Sequence, residues 1–270
     1  MGRPSVEPGR IDKFSNLADT YHPMLPARFR KLALLLSLCA ALTGCSTTPV
    51  IHPQAANDTI FLPGVGGDTP VYTNAIDALR DAGDPDRLEI LNWGYGWLLF
   101  FVTINDGPLH HDTEKKLAAE IMQWRSGHPG SRIVLIGHSA GAGVILGALA
   151  RLDPGVVVGP VVLLAPAVSP EYDLRPILAH VTVVHVFYSE ADSFWQGFGP
   201  TIFGLYDGDH GDGAGRKGFE LRGLTEIQKR QIVQHPYDPK WKALGNDGGH
   251  FDSCDPKFVA KVIRPLIQAP

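Results

Sequence analysis

Apolar and polar positions recur with readable periods along most of the chain. Thr59–Leu62 is a short apolar run of strand type that stops at the glycine-rich turn Pro63-Gly64-Val65-Gly66-Gly67. Tyr72, Ile76 and Leu79 then recur at helical spacing, with Gly83 as the stop. Leu88–Leu91 is the next strand. Thr113 to Arg125 predicts an amphipathic helix with Leu117, Ile121 and Trp124 on one face and Glu114, Lys115 and Gln123 among its polar positions. Ile133–Ile136 is an uninterrupted apolar strand and Ala140–Leu152 a helix rich in small residues. Val161–Leu164 and Val181–Phe187 are valine-rich strands, the second being the last and ending at Tyr188. Phe258, Val259, Val262, Ile263 and Leu266 mark a closing helix. Strands that read as continuous apolar runs are buried on both faces. Their alternation with helices therefore predicts an α/β fold, with a mostly parallel central sheet and helices on both sides. In such sheets ligands bind beyond the carboxyl ends of the strands, so the residues just after each strand are the informative ones.

Composition changes this picture mainly at the N-terminus. The 270 residues are 44% hydrophobic and 19% charged, with a formal net charge of −4. That suits one main domain and gives no basic footprint for nucleic acid. Arg28-Phe29-Arg30-Lys31 precedes the apolar run Leu32–Leu42 and then Thr43-Gly44-Cys45. A basic patch, a short apolar core and small residues describe a secretory signal, and the run is too short to span a bilayer as a helix. Leu42-Thr43-Gly44-Cys45 resembles a bacterial lipobox, which implies cleavage before Cys45 and lipid on its sulfur. The expected organisation is a signal segment over 1–44, a polar tether over 45–58 and a folded domain over 59–270. Met24 is the natural start of the signal, which leaves 1–23 as an upstream extension or a misplaced start. Of three cysteines, Cys39 would leave with the signal, Cys45 would carry lipid and Cys254 would remain as a lone thiol, packed or partly exposed rather than a nucleophile. The implied location is the bacterial envelope, with the membrane as a partner through Cys45. Oligomeric state is not encoded legibly.

The candidate chemistry centres on Gly137-His138-Ser139-Ala140-Gly141. A serine exposed at a sharp strand-to-helix turn needs small residues two places before and after it, and Gly137 and Gly141 meet that need. Ala140 and Gly143 are expected to let the helix pack closely on the sheet. With the strand before it and the helix after it, this pentapeptide resembles the nucleophile elbow of the α/β-hydrolase family, over about residues 59–270. The resemblance implies an α/β-hydrolase fold and a triad in the order serine, acid, histidine. Asp192, just beyond the strand ending at Tyr188, matches the family's acid. His250, in the glycine-rich loop "GNDGGHFDS" before the closing helix, matches its histidine. Ala140 and Val65 match the two oxyanion-hole donors, with Pro63 where the family usually has histidine.

The long stretch between Asp192 and His250 departs from the family's compact members and reads as an insertion able to overhang the site. It also supplies Asp207, Asp209 and Asp212 as rival acids. With His210, these could bind a cation, but their spacing is not that of an EF-hand loop, so no metal is assigned. No dinucleotide fingerprint or phosphate loop is present, and no cofactor is implied. His138 reads as a packing or pocket-shaping residue and His185 as a satisfied core histidine. The cluster Trp93, Tyr95, Trp97, Phe100 and Phe101 fits an acyl pocket, a membrane contact or plain core. The expected activity is hydrolysis of a carboxylic ester, on a small molecule or a lipid, through an acyl-enzyme on Ser139. A peptidase, amidase or thioesterase would use the same residues, and a non-catalytic lipoprotein could keep the fold as a binding module.

Overall fold

The computed structural model of the chain describes residues 57–84, 86–192 and 204–268. The expected signal segment, Cys45, all but the end of the tether, and the aromatic residues directly after Asp192 lie outside them. Among the described residues six strands form one sheet: β1 (Asp58–Leu62), β2 (Arg87–Ile90), β3 (Ile133–His138), β4 (Val161–Leu164), β5 (Val184–Tyr188) and β6 (Ile232–Pro236). Their order is β2-β1-β3-β4-β5-β6, and every neighbouring pair is parallel. The fold is therefore α/β with a wholly parallel sheet, as the apolar runs predicted, and all the strands end at one edge.

Side chains alternate across the sheet, and the two faces have different covers. On one face Phe61, Val134, Ile136, Val162, Leu164 and Phe187 form a single core with helix α1 (Pro70–Asp81) and the C-terminal helix. Proline opens α1, Tyr72, Ala75, Ile76 and Leu79 are its buried residues, and Gly83 ends it at φ +77°. The N–H of Asp84 bonds Leu79 O at 3.1 Å and that of Gly83 bonds Arg80 O at 2.9 Å, the Schellman pattern that satisfies the last carbonyls. The C-terminal helix runs from Pro256–Phe258 through a π-helical turn, Val259–Ile263, into Arg264–Gln268. On the other face lie α2 (Gly107–Gly127) and α3 (Ala140–Leu149), packed against each other, with α3 against β3 and β1. Asp106 caps α2 by accepting from Leu109 N at 3.0 Å.

Five expectations need correction. Asp58, placed in the tether, opens β1 and pairs with both Arg87 and Ile133. The strand expected from Val181 starts at Val184, and Val181 makes only an isolated bridge to Val158. Tyr188 does not end the last strand. β6 adds a further one from the stretch read as an insertion. It escaped notice because it is an edge strand with few apolar residues, half-exposed, and ending in a proline that an edge tolerates. Finally, Glu114 is buried. Its carboxylate meets Arg151 Nη2 at 2.8 Å and accepts from Tyr206 Oη at 2.9 Å. Gly147 leaves the space for it, since a Cβ there would lie 2.3 Å from the Glu114 carboxyl. Gly143 likewise makes room for the Tyr206 ring rather than for the sheet, its virtual Cβ falling 2.3 Å from Tyr206 Cδ1.

His185 is the core histidine expected, buried in β5 with Nδ1 3.0 Å from Nε2 of His235 on β6. Burial first, and the neighbouring His235 second, lower its pKa to about 4. An unfolded histidine takes up its proton near about 6.5. Between those values the unfolded chain binds more protons, so this group's contribution to stability is complete above pH 6.5 and is lost as pH falls towards 4. Urea midpoints taken at pH 7 and pH 5 should therefore drop less in His185→Leu than in the wild type. Equal drops would show that the histidine carries no such linkage.

Candidate active site

The site is assembled where the strands end. β3 delivers the chain into Ser139 with φ 55° and ψ −126°, one of two non-glycine residues of positive φ among those described. That conformation is costly for a residue with a Cβ and persists only where the surroundings over-determine it. Here they do so through backbone. Ser139 N–H bonds Leu164 O at 2.9 Å, and Ser139 O accepts from Ala142 N and Ala167 N, each at 3.1 Å. The flanking glycines are sterically required. A Cβ on Gly137 would lie 2.7 Å from Ile145 Cδ1 and 2.8 Å from Ala142 Cα. One on Gly141 would lie 2.4 Å from Leu62 O and 2.5 Å from Pro63 O.

The expected acid and histidine are brought together. His250 Nδ1 and Asp192 Oδ2 are 2.6 Å apart, with both side chains buried. A carboxylate accepts only, so Nδ1 donates, and Nε2 is the ring nitrogen that Asp192 does not engage. The rival acids are engaged elsewhere. Asp207 accepts from Ser169 N at 2.9 Å, Asp212 pairs with Arg216 and Lys217, and Asp209 lies against its own loop at His210 N. Burial raises the pKa of Asp207, and none of the three meets His250. Among the described residues no cluster of metal-ligating side chains is found.

The loop carrying His250 is built from short polar side chains folded back on backbone. Asp252 accepts from Gly249 N at 2.8 Å and Asp247 N at 3.2 Å, and Asn246 accepts from Gly248 N at 2.9 Å. Gly248, at φ +88°, is one of the positions that needs glycine. Asp252 and Asn246 were not singled out from the sequence. An Asx-rich, glycine-rich loop is the signal that contains them, because such side chains bond backbone locally.

The loop after β1 faces the elbow. The virtual Cβ of Gly64 lies 3.2 Å from Ser139 Cβ. Trp93 Nε1 donates to Pro63 O at 2.8 Å, and the Gly64 N–H donates to Tyr72 Oη at 3.1 Å. Val65 and Ser139 line one cavity with His250. Ala140 is the first residue of α3, where an N–H has no intrahelical acceptor and the helix dipole favours developing negative charge. The cavity measures about 280 Å³ and is mostly apolar, with Val71, Trp97, Phe100 and Phe251 among its walls. The aromatic cluster thus divides. Trp97 and Phe100 line the cavity, Trp93 is core and holds the loop, Tyr95 bonds Asp106 at 2.7 Å, and Phe101 is exposed. Of the two expectations for Cys254 the packed one holds, and burial pushes its pKa up.

Gly141→Ala should lose about 1–3 kcal/mol of stability in urea denaturation, because its clash is with fixed carbonyls rather than with a movable side chain. Wild-type stability would mean that the elbow and the β1 loop are not in contact.

No family model and no curated protein matches the chain. Among solved structures it is similar to a lipase-esterase related protein from Clostridium acetobutylicum, at 13% identity over 82% of this chain and 98% of that one, with a TM-score of 0.44. A carboxylesterase from Mesorhizobium loti is similar at 16% identity over 80% and 90%, with a TM-score of 0.46. A cutinase from Trichoderma reesei follows at 14% identity over 88% of each chain, with a TM-score of 0.39. These likenesses are distant, and the reading of the site rests on its own residues.

Proposed function

We propose that the chain is a serine hydrolase of the α/β-hydrolase family, cleaving carboxylic esters with an apolar acyl group. The observation that carries this reading is the strained Ser139 sharing one apolar cavity with a histidine already paired to a buried carboxylate. In this mechanism Ser139 Oγ attacks the ester carbonyl as its proton passes to His250 Nε2. A tetrahedral oxyanion forms towards the N–H groups of Ala140 and Val65. Collapse breaks the bond to the alcohol, which leaves with the proton from His250, and water then releases the acid by the reverse route. Asp192 fixes the imidazole tautomer and stabilises the imidazolium. Preorganised oxyanion donors are typically worth about 2.7–4 kcal/mol each at the transition state.

The apolar lining supports an acyl chain over a charged or peptide-like substrate, since it offers few polar groups to replace lost hydration. The second part of the proposal is that the protein is exported and held at a membrane by lipid on Cys45. It rests on the basic patch, short apolar run and lipobox-like Leu42-Thr43-Gly44-Cys45. The domain would work in the aqueous phase beside that membrane.

A fluorophosphonate probe should label the folded wild type and fail to label Ser139→Ala. Labelling retained in the variant would remove Ser139 as nucleophile. Asp192→Asn should lose ester turnover by about 10⁴, as expected when the imidazole tautomer is lost, while Asp207→Asn keeps it. The opposite ranking would move the acid. Run on esters of graded acyl length beside an amide and a thioester, the assay should favour apolar esters. For the anchor, Cys45→Ala should shift the protein from the membrane to the soluble fraction or block its processing, and unchanged membrane retention would refute lipid attachment there.

A further inference from the structure

Two buried side chains beside the serine, acid and histidine carry polar atoms that the proposed mechanism does not use. Tyr72 sits on α1 and His138 at the end of β3, both on the same apolar sheet face. Neither is idle. The Gly64 N–H reaches Tyr72 Oη at 3.1 Å, Tyr72 Oη lies 2.9 Å from His138 Nδ1, and His138 Nε2 lies 2.8 Å from His250 O.

We infer that Tyr72 and His138 are positioning residues, forming a one-way hydrogen-bond chain that locks the β1 loop to the histidine loop across the nucleophile elbow. This rests on the hydrolase reading for its consequence, though not for its geometry. The direction is fixed at both ends. A backbone N–H only donates, so Gly64 gives its proton to Tyr72. A carbonyl only accepts, so Nε2 of His138 carries hydrogen and donates to His250 O. In a neutral ring Nδ1 is then bare, and the Tyr72 hydroxyl donates to it. Every donor and acceptor in the chain is used once, with no charge. Burial first and the nearby His250 second hold the His138 pKa well below the usual value, and burial raises that of Tyr72. Both shifts keep the neutral forms that the chain needs. Beyond these two, the titratable groups bearing on the chain are His250 itself, Asp68 at the head of α1, and Cys254 before the C-terminal helix.

The chain bears on chemistry because of what its ends hold. Gly64 precedes Val65, the proposed oxyanion donor, and has its own N–H taken by Tyr72. His250 carries the proposed base. A loop of glycine around Val65 has little side chain with which to fix itself, so its donor geometry depends on the partners at Pro63 and Gly64. Oxyanion geometry matters in the transition state and little in substrate binding.

The test is Tyr72→Phe, which keeps the ring and removes one oxygen. Expected is a fall in kcat of at least about tenfold, short of the roughly 10²–10³ for losing an oxyanion donor outright, with KM within about twofold. His138→Phe should show a loss of similar size, and the double variant no more than either single, because links of one chain fail together. A Tyr72→Phe kcat within about twofold of wild type, or additive losses, would overturn the inference. A readout without activity decides the geometry separately. Nitrogen-15 spectra of the full chain should show His138 neutral, protonated on Nε2 and not titrating between about pH 8 and pH 5. Hydrogen on Nδ1, or titration in that range, would break the chain. If the wild type neither labels with fluorophosphonate nor cleaves esters, the hydrolase reading fails, while these spectra still decide the hydrogen-bond chain.

Discussion

The geometry of the candidate site depends on one close approach, that of Gly141 to the carbonyls of Leu62 and Pro63. There the first turn of α3 touches the end of β1, and no side chain fits between them. The contact brings the elbow, the start of α3 and the β1 loop into one place. The positive φ of Ser139 is the other side of the same constraint. The chain leaves β3 and turns into α3 within a single residue, and its backbone bonds to Leu164, Ala142 and Ala167 hold that turn shut. Strain at Ser139 is thus offset by the sheet and helix around it, which is where strain in a folded chain must be carried.

The sheet face behind the elbow is apolar, and two pairs of polar groups are held there by hydrogen bonds. Asp192 with His250, and Tyr72 with His138, each answer one another or backbone at hydrogen-bond distance. A buried polar group left unpaired costs about 1–3 kcal/mol, so these pairs cannot drift without a penalty. The opposite face follows the same rule with different residues. Glu114 is tolerated under α3 because Arg151 and Tyr206 meet both of its oxygens and Gly147 leaves the space. That set has a second effect. It fastens Tyr206, and with it the start of the segment 204–212, to α2, the helix that carries Glu114, a link bridging 92 residues of sequence.

What the sequence made legible follows from how local each signal is. Buried parallel strands announce themselves as apolar runs, and β1, β3, β4 and most of β5 were readable for that reason. The elbow was readable because its steric demand falls on fixed neighbours, Gly137 and Gly141. Asp192 and His250 were found through family order, and the 2.6 Å between them is a distance no spacing in the sequence encodes. β6 was missed because an edge strand needs little hydrophobicity. Glu114 was misassigned because its partners lie far along the chain, where a helical period carries no information. Tyr72 was read correctly as a core residue of α1, yet its hydroxyl was overlooked. The available hint was a pair of polar heads, Tyr72 at a patterned core position and His138 just beyond an apolar strand.

The β1 loop brings these points together. Gly64 and Gly66 let backbone come close to Ser139 and to the Trp97 ring, and the absence of side chains that permits this also removes the usual means of holding a loop still. Its own turn, Gly67 N–H to Gly64 O at 3.0 Å, is one restraint. The others come from outside, from Trp93 beyond β2 and from Tyr72 on α1. Both supply a ring large enough to be fixed by packing, and a single polar atom at its edge. A loop made of glycine is thus fixed largely by rigid neighbours that grip its backbone. It follows that the residues governing its geometry need not lie in the loop itself, nor beside Ser139, Asp192 or His250 in sequence.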